Sequence, residues 1–137
     1  MIVVNTPIEL APWPYFSDAD IHAVADVLKS GKVNYWTGEQ GRLFEQEFAA
    51  YCGSAHGVAV ANGSVGLDVA LHVLGIGSGD EVIVSPRSFF ASAGAIALSG
   101  ATPVFADVDL DSQNITVESI SASLSPRTRA ILCVHLN

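Results

Sequence analysis

The chain has 137 residues, of which 50% are hydrophobic and 15% charged, so it carries enough apolar surface to fold. Fourteen acidic against six basic side chains give a formal net charge of -8. This charge argues against nucleic acid as a partner, because nucleic-acid binders present a basic surface to phosphates. No signal segment and no run of about 18 uninterrupted apolar residues is visible, and we therefore expect a cytoplasmic protein with no membrane partner.

The cysteines and histidines predict no metal centre. Cys52 and Cys133 stand far apart in the sequence, which fits neither a zinc site nor a disulfide framework, and we expect them to be buried free thiols. The four histidines never fall on one helical face beside a carboxylate.

Residues 1–52 form the first of two predicted regions, with proline-broken extended chain followed by two short amphipathic helices. Ser17 is a good N-cap for the first helix, and Gly31 ends it. The second helix ends at Gly53. The apolar residues that recur at helical spacing are Ile21, Val24 and Leu28 in the first helix and Phe44, Phe48 and Tyr51 in the second.

Residues 53–137 alternate between apolar strands and helices. The predicted strands span residues 57–61, 81–84, 103–108 and 130–136. The predicted helices begin at 62–64, run from Ser88 to Gly100, and run from Thr116 to Leu124. Strands that are apolar throughout and alternate with helices indicate an α/β fold, with a mostly parallel sheet between two helical layers.

Ligands of open α/β sheets bind beyond the carboxyl ends of the strands, and the turn at residues 62–67 is the first candidate. Its sequence, Asn-Gly-Ser-Val-Gly-Leu, offers the Ser64 hydroxyl and unpaired backbone N–H groups at a helix start, which suit a phosphate. The alternative is that Ser64 merely caps its helix. Neither a dinucleotide-binding glycine pattern nor a P-loop is present.

Two further turns are candidates. Phe89 and Phe90 stand at the start of a helix, where one ring could face a planar ligand, although the residues alone favour a place in the core for both. Asp107, Asp109 and Asp111 cluster after the third strand, and a solvated acidic turn is favoured over a cation site.

Four segments in this order resemble the DegT/DnrJ/EryC1/StrS aminotransferases: residues 62–67, 75–84, 100–109 and 126–136. Upstream, Trp36-Thr37-Gly38 and the helix containing Phe44-Glu45 are also similar to that family. The resemblance implies the N-terminal part of the large domain of the fold type I transferases that use pyridoxal 5'-phosphate (PLP). It also implies transfer of an amino group, commonly from glutamate, to a nucleotide-linked keto-sugar for cell-surface polysaccharides or secondary metabolites, by a protein that is a homodimer when complete.

The resemblance assigns roles to particular residues. Ser64 and the backbone N–H of Val65 match positions that hold the cofactor phosphate, and Phe89 matches the aromatic residue that stacks on the pyridine ring. Thr37 and Gly38 match a loop near the substrate, and Phe90 is expected in the core. Many members have threonine and alanine where this chain has serine and valine, but the hydroxyl and the backbone donor are kept.

The catalytic lysine of the family lies downstream of Leu136, as does the aspartate that pairs with the pyridine nitrogen. The only lysines present, Lys29 and Lys32, fall at the end of the first helix and are not expected to be catalytic. The 137 residues should therefore not turn over alone.

Three alternatives stay open from the sequence. One is a PLP-dependent sugar dehydratase of the same family, in which histidine replaces the lysine. Another is a nucleotide-binding or redox α/β domain, which binding of NAD but not PLP would support. The last is a non-catalytic α/β fragment that persists by pairing with another subunit.

Overall fold

The computed structural model describes residues 12–135. Five helices and three strands lie in this part of the chain, in the order α1 (Asp18–Ser30), α2 (Gln40–Cys52), α3 (Gly63–Val73), β1 (Glu81–Val84), α4 (Ala91–Leu98), β2 (Thr102–Phe105), α5 (Val117–Ser123) and β3 (Thr128–Leu132). The chain forms two compact units, Met1–Ala59 and Val60–Asn137, and each is described by itself.

Helix α1 begins and ends where the sequence predicts. The Ser17 side chain accepts from the Asp20 N–H at 3.3 Å, and the Asp20 carboxylate accepts from the Ser17 N–H at 2.8 Å, which completes a capping box. Hydrogen bonds from the Ser17 hydroxyl and backbone lower the pKa of Asp20. Gly31 ends the helix in the left-handed conformation, with φ of 69°.

Helix α2 ends at Gly53 as predicted and carries a row of aromatic side chains. The rings of Phe44 and Phe48 stack with 5.6 Å between their centroids, and Tyr51 follows Phe48. These three residues are exposed. The apolar stripe that the sequence predicts therefore exists, and at least half of the surface of each of these side chains is exposed.

The strand predicted at residues 57–61 is absent, because this segment pairs with a helix side chain and not with another strand. The Glu45 carboxylate accepts from the Ala59 N–H at 2.8 Å and from the Tyr35 hydroxyl at 3.0 Å. A Cβ added to Gly57 would lie 2.6 Å from the Glu45 carbonyl oxygen, so the glycine permits this close approach. The prediction was wrong because an apolar run becomes a strand only where a neighbouring strand accepts its hydrogen bonds.

The second unit contains a sheet in which β1 lies between β2 and β3, and all pairings are parallel. The predicted mostly parallel α/β architecture is confirmed. Val82 and Val84 face a core that also receives Ala130 and Leu132 from β3. Ile83 points to the opposite face by strand alternation and is fully buried as well, so β1 is covered on both faces.

Helices α3 and α4 pack on the Val82 face through Leu71, Ala95 and Ile96. Both end near the amino ends of the strands: a Cβ added to Gly77, after α3, would lie 3.5 Å from the carbonyl oxygen of Ser99, which follows α4. Both helices consequently begin toward the carboxyl ends of the strands.

Some predicted boundaries differ from the observed ones. Helix α4 begins at Ala91 and not at Ser88, because residues 86–88 form a bend that is held by the Ser85 side chain. Strand β3 spans Thr128–Leu132, so residues 133–135, which the sequence places in the strand, are not part of it, and Leu136 lies outside the described residues. Strand β2 stops at Phe105.

Both cysteines are exposed, which corrects the expectation of buried thiols. Cys52 is the last residue of α2, and Cys133 directly follows β3. Each lies at the end of an element and is exposed there, which an apolar residue type alone does not reveal.

The amino end of β1 holds an acidic side chain that the sequence analysis does not single out. Glu81 is buried, and its carboxylate accepts hydrogen bonds from the Ser125 hydroxyl and from the Arg127 guanidinium. The Glu81 N–H also donates to the Arg127 carbonyl oxygen at 2.9 Å. This network joins β1 to the start of β3.

Within residues 12–135, no helix is both long and apolar enough to cross a membrane.

Candidate cofactor site

The start of α3 is organised by Asn62. This residue has extended backbone, and its side-chain oxygen accepts from the Val65 N–H at 3.0 Å. The alternative in which Ser64 caps the helix is therefore wrong, because Asn62 performs that role. The sequence signal for it was an asparagine directly before Gly63, since asparagine is a preferred N-cap residue.

The first turn of α3 retains hydrogen-bond donors with no acceptor among the described residues. The N–H groups of Gly63 and Ser64 are too close to the helix start for intrahelical bonds. The Ser64 hydroxyl is exposed and has no partner within residues 12–135. The Val65 N–H is occupied by Asn62, so the geometry favours Gly63 and Ser64 as the backbone donors to an anion.

Phe89 lies in the loop that follows β1, and 77% of its surface is exposed. Phe90 is 83% exposed, which contradicts the prediction that it lies in the core. Its ring lies over α4, where a Cβ added to Gly94 would be 3.2 Å from a ring carbon. The alternative in which both phenylalanines are buried is also wrong, because both precede α4 and both are largely exposed.

The loop between β1 and α4 is held by serine hydroxyls. The buried Ser85 hydroxyl accepts from the Arg87 N–H at 3.2 Å and lies 3.3 Å from the Arg87 carbonyl oxygen, to which it donates. The hydroxyls of Ser88 and Ser92 are 2.6 Å apart. These bonds fix the backbone on the amino-terminal side of Phe89.

The third turn is organised by Asp109. Its carboxylate accepts from the Ser112 N–H at 2.8 Å and from the Asp111 N–H at 3.1 Å. The bond from the Ser112 backbone is the main cause of its lowered pKa. Asp107 accepts from the neighbouring Val108 N–H at 2.8 Å. In the part of the chain that the structure describes, no three metal-ligating side chains come together in a way that could hold an ion.

Thr37 and Gly38 lie in the other unit, in a turn organised by Asn34. The Asn34 side-chain oxygen accepts from the Trp36 N–H at 3.0 Å and from the Thr37 N–H at 3.1 Å, and it lies 3.2 Å from the Thr37 hydroxyl, which donates to it. A Cβ added to Gly38 would lie 2.6 Å from the Lys32 carbonyl oxygen, so only glycine fits there.

Three of the five residues assigned from the resemblance share one edge of the second unit. Ser64 and Val65 lie in the first turn of α3, and Phe89 follows the carboxyl end of β1. Because α3 begins toward the carboxyl ends of the strands, its free donors and the exposed Phe89 ring belong to the same side of the sheet. An exposed hydroxyl, two free N–H groups and an exposed aromatic ring match a planar ligand that carries a phosphate.

The family model described as the DegT/DnrJ/EryC1/StrS aminotransferase family matches residues 14–137. Among curated relatives, the chain is 43% identical over 122 residues to the spore coat polysaccharide biosynthesis protein SpsC of Bacillus subtilis (strain 168), covering 89% of this chain and 31% of that protein.

Solved structures agree with this match. An aminotransferase from Psychrobacter cryohalolentis has a TM-score of 0.91 and 52% sequence identity, covering 93% of this chain and 32% of that chain. A candidate sugar aminotransferase from Streptococcus pneumoniae in its PLP form has a TM-score of 0.81 and 30% identity, covering 86% of this chain and 30% of that chain.

The chain thus spans about a third of the length of the relatives it matches. Its architecture is that of the N-terminal portion of fold type I PLP-dependent aminotransferases. On the strength of the match over residues 14–137, this chain belongs to the PLP-dependent DegT/DnrJ/EryC1/StrS aminotransferase family.

Proposed function

We propose that the complete protein is a PLP-dependent sugar aminotransferase and that this chain supplies the phosphate-binding turn and the stacking face of its cofactor site. The observation that carries this proposal is the presence of free α3 donors and the exposed Phe89 ring at one edge of the second unit. Family membership supplies the identity of the cofactor.

At the α3 turn, the Ser64 hydroxyl and the N–H groups of Gly63 and Ser64 donate to the cofactor phosphate. Helix α3 adds the positive end of its dipole, which favours an anion at this terminus. The Val65 N–H can join them only if it exchanges its bond to Asn62 for one to the phosphate. The turn thereby fixes one end of the cofactor.

Phe89 presents a ring face to the pyridine ring. Stacking of aromatic planes is favourable beyond the area that is buried, and it excludes water from one side of the ring. When bound, the cofactor serves as an electron sink for the reacting carbon, while the protein supplies orientation and electrostatics. The role of Phe89 is therefore to orient the ring.

The covalent attachment is supplied from outside these 137 residues. Lys29 is engaged with Asp26 at 3.3 Å on the exposed surface of α1, and Lys32 lies in the turn after that helix. Neither lysine is in the unit that carries the phosphate turn. We therefore propose that the present chain alone binds no cofactor covalently and does not turn over.

The substrate proposal is a nucleotide-linked keto-sugar, with glutamate as amino donor, in a cytoplasmic homodimer. It is supported by the family and by a relative named for polysaccharide biosynthesis. Thr37 and Gly38 would line the substrate side, as the family resemblance implies; Asn34 holds their turn, and Gly38 lets it pack closely on the Lys32 carbonyl oxygen. The products would serve polysaccharide or secondary-metabolite sugar synthesis.

The test uses the complete polypeptide, titrated with PLP while the visible absorbance of the cofactor is recorded. Amino transfer is followed by the formation of 2-oxoglutarate from glutamate in the presence of nucleotide-linked keto-sugars. We expect binding and transfer, with the affinity for PLP lowered about tenfold in Ser64→Ala through the loss of a hydrogen bond to a charged group, worth roughly 1.5 kcal/mol.

Ser121→Ala is the matched control, because the Ser121 hydroxyl bonds only its own helix at the Val117 carbonyl oxygen. This variant should bind PLP as the parent does. Failure of the complete protein to bind PLP, or binding of NAD in its place, would refute the proposed function.

A further inference from the structure

We propose that Arg87 and Gln113 are positioning residues that hold the loop bearing Phe89 in the orientation needed for stacking. This inference rests on the proposed function. The guanidinium of Arg87 donates to the side-chain oxygen of Gln113, which lies 26 residues further along the chain. The bond joins the loop after β1 to the turn after β2.

Arg87 is well placed to set the loop backbone. The buried Ser85 hydroxyl engages both the N–H and the carbonyl oxygen of Arg87, so this residue is fixed at its backbone as well as at its side chain. Phe89 follows two residues later and is largely exposed. Its orientation is therefore governed mainly by the backbone that carries it.

Gln113 is held on its own side by an unusual backbone conformation. Its φ is +60°, and it is the only non-glycine residue with positive φ within residues 12–135. The Gln113 N–H donates to the Asp109 carbonyl oxygen at 2.9 Å, and its side-chain N–H donates to the Leu110 carbonyl oxygen. Both ends of its amide are thus engaged.

The strained conformation points to a role for the side chain. Asparagine or glycine adopts positive φ more readily than glutamine, yet glutamine is present and reaches Arg87. A side chain that must be ordered on binding costs affinity, and prior ordering removes that cost. The Arg87–Gln113 bond would order the Phe89 loop before the cofactor arrives.

The decisive variant is Gln113→Gly in the complete protein. Glycine adopts φ of +60° without strain, which offsets the loss of the two Gln113 side-chain hydrogen bonds, so thermal stability should change little. The affinity for PLP should nevertheless fall about threefold to tenfold, the range expected when one or two side chains must be ordered on binding. Circular dichroism of the bound cofactor should change, because it reports the tilt of the ring.

Gln113→Glu is the conservative variant, since a carboxylate oxygen can still accept from Arg87. It loses the donation to the Leu110 carbonyl oxygen but keeps an acceptor for Arg87, so its PLP affinity and cofactor circular dichroism should stay close to those of the parent protein. Arg87→Ala should reproduce the loss seen in Gln113→Gly. Arg129→Ala is the control for removing a cation, because Arg129 is exposed on β3.

A measurement without PLP separates this inference from the proposed function. Amide hydrogen exchange at residues 87–90 should accelerate at least threefold in Gln113→Gly while exchange in β1 stays unchanged. The positioning role would be overturned if loop exchange were unchanged in Gln113→Gly. It would also be overturned if the parent bound PLP and Gln113→Gly bound it equally tightly. A parent that does not bind PLP refutes the proposed function and this inference with it.

Discussion

Strand β1 and helix α1 differ in whether their apolar residues are buried. Every residue of β1 is buried, whereas α1 has none that is buried although it carries Ile21, Val24 and Leu28 on one face. The β1 region is held by packing against elements distant in sequence, and α1 is held by its own caps and backbone bonds. The proposed cofactor site follows this division, since the turn at the start of α3 and the loop containing Phe89 both belong to the packed unit.

The largest expected effect comes from breaking the packed unit at its centre. Ile83→Ala should lower the free energy of unfolding by about 2–5 kcal/mol, because Ile83 is fully buried and its neighbours cannot fill the space. Ile21→Ala, at a residue that is 56% exposed, is the comparison and should change it by less than about 0.5 kcal/mol. Urea denaturation measures both, and equal losses would contradict the contrast between the two elements.

The next effect concerns the polar link in the same sheet. Arg127→Ala should cost about 1–3 kcal/mol, because it leaves the buried Glu81 carboxylate with the Ser125 hydroxyl as its remaining side-chain partner. The loss of stability should be smaller than the full penalty of an unpaired buried charge. The Arg127 side chain is 69% exposed, so water can replace part of its interaction with Glu81.

Arg129→Ala is the control for Arg127→Ala, because it removes the same charge from an exposed position on β3, two residues further along the chain. It should shift the urea midpoint little. A loss as large as that of Arg127→Ala would show that the charge of β3, and not the Glu81 network, stabilises the sheet.

A smaller effect is expected at the start of α3, where one substitution should change PLP affinity without lowering stability. Asn62→Asp should keep or slightly raise the stability of the helix, because aspartate is an equally good N-cap and its charge suits the helix dipole. In the complete protein the same change should weaken PLP binding about fivefold, since like charges about 4 Å apart repel by about 1 kcal/mol even in water.

Thermal unfolding and PLP titration of the same Asn62→Asp preparation check both halves of this prediction. Asn62→Ser serves as the uncharged control, because serine also caps a helix. A variant that binds PLP as tightly as the parent would place the phosphate away from this turn.

Local signals in the sequence predicted local structure correctly. Ser17 with Asp20, Gly31 and Gly53 mark helix ends because caps depend on residues three or four positions apart. The failures are non-local. The apolar run at 57–61 looks like a strand, but its hydrogen-bond partner proved to be the Glu45 side chain.

In the candidate site too, short local motifs are predictable from the sequence, whereas contacts between distant residues are not. The turn containing Ser64 and the loop containing Phe89 are short motifs, so the sequence alone can single them out as candidates. The contact between Arg87 and Gln113 spans 26 residues, and the pairing of Glu81 with Arg127 spans 46, so no local sequence pattern predicts either contact. The prediction for Phe90 was wrong because the sequence does not show whether an aromatic ring ahead of a helix faces the sheet or the solvent.

The smallest expected effect concerns the contribution of the Ser17–Asp20 capping box to the stability of α1. The pKa of Asp20 is lowered in the folded chain, so its contribution to stability is present above the unfolded value, ordinarily 3.8, and is lost as the pH falls through the folded pKa. Hydrogen bonds from Ser17 therefore weaken when the carboxylate is protonated. Asp20→Asn should remove this acid dependence from α1, whereas the second unit should keep its own through Asp109, whose pKa is lowered in the same direction.

The pH titration is best followed by NMR at the backbone amides of Ser17 and Ser112, which donate to these two carboxylates. In the parent chain both signals should move below pH 4, and in Asp20→Asn only that of Ser112 should move. If the Ser17 signal still moved in Asp20→Asn, the capping box would not be its cause. The exposed helix would then be held by its intrahelical backbone bonds alone, which would deepen the contrast with β1.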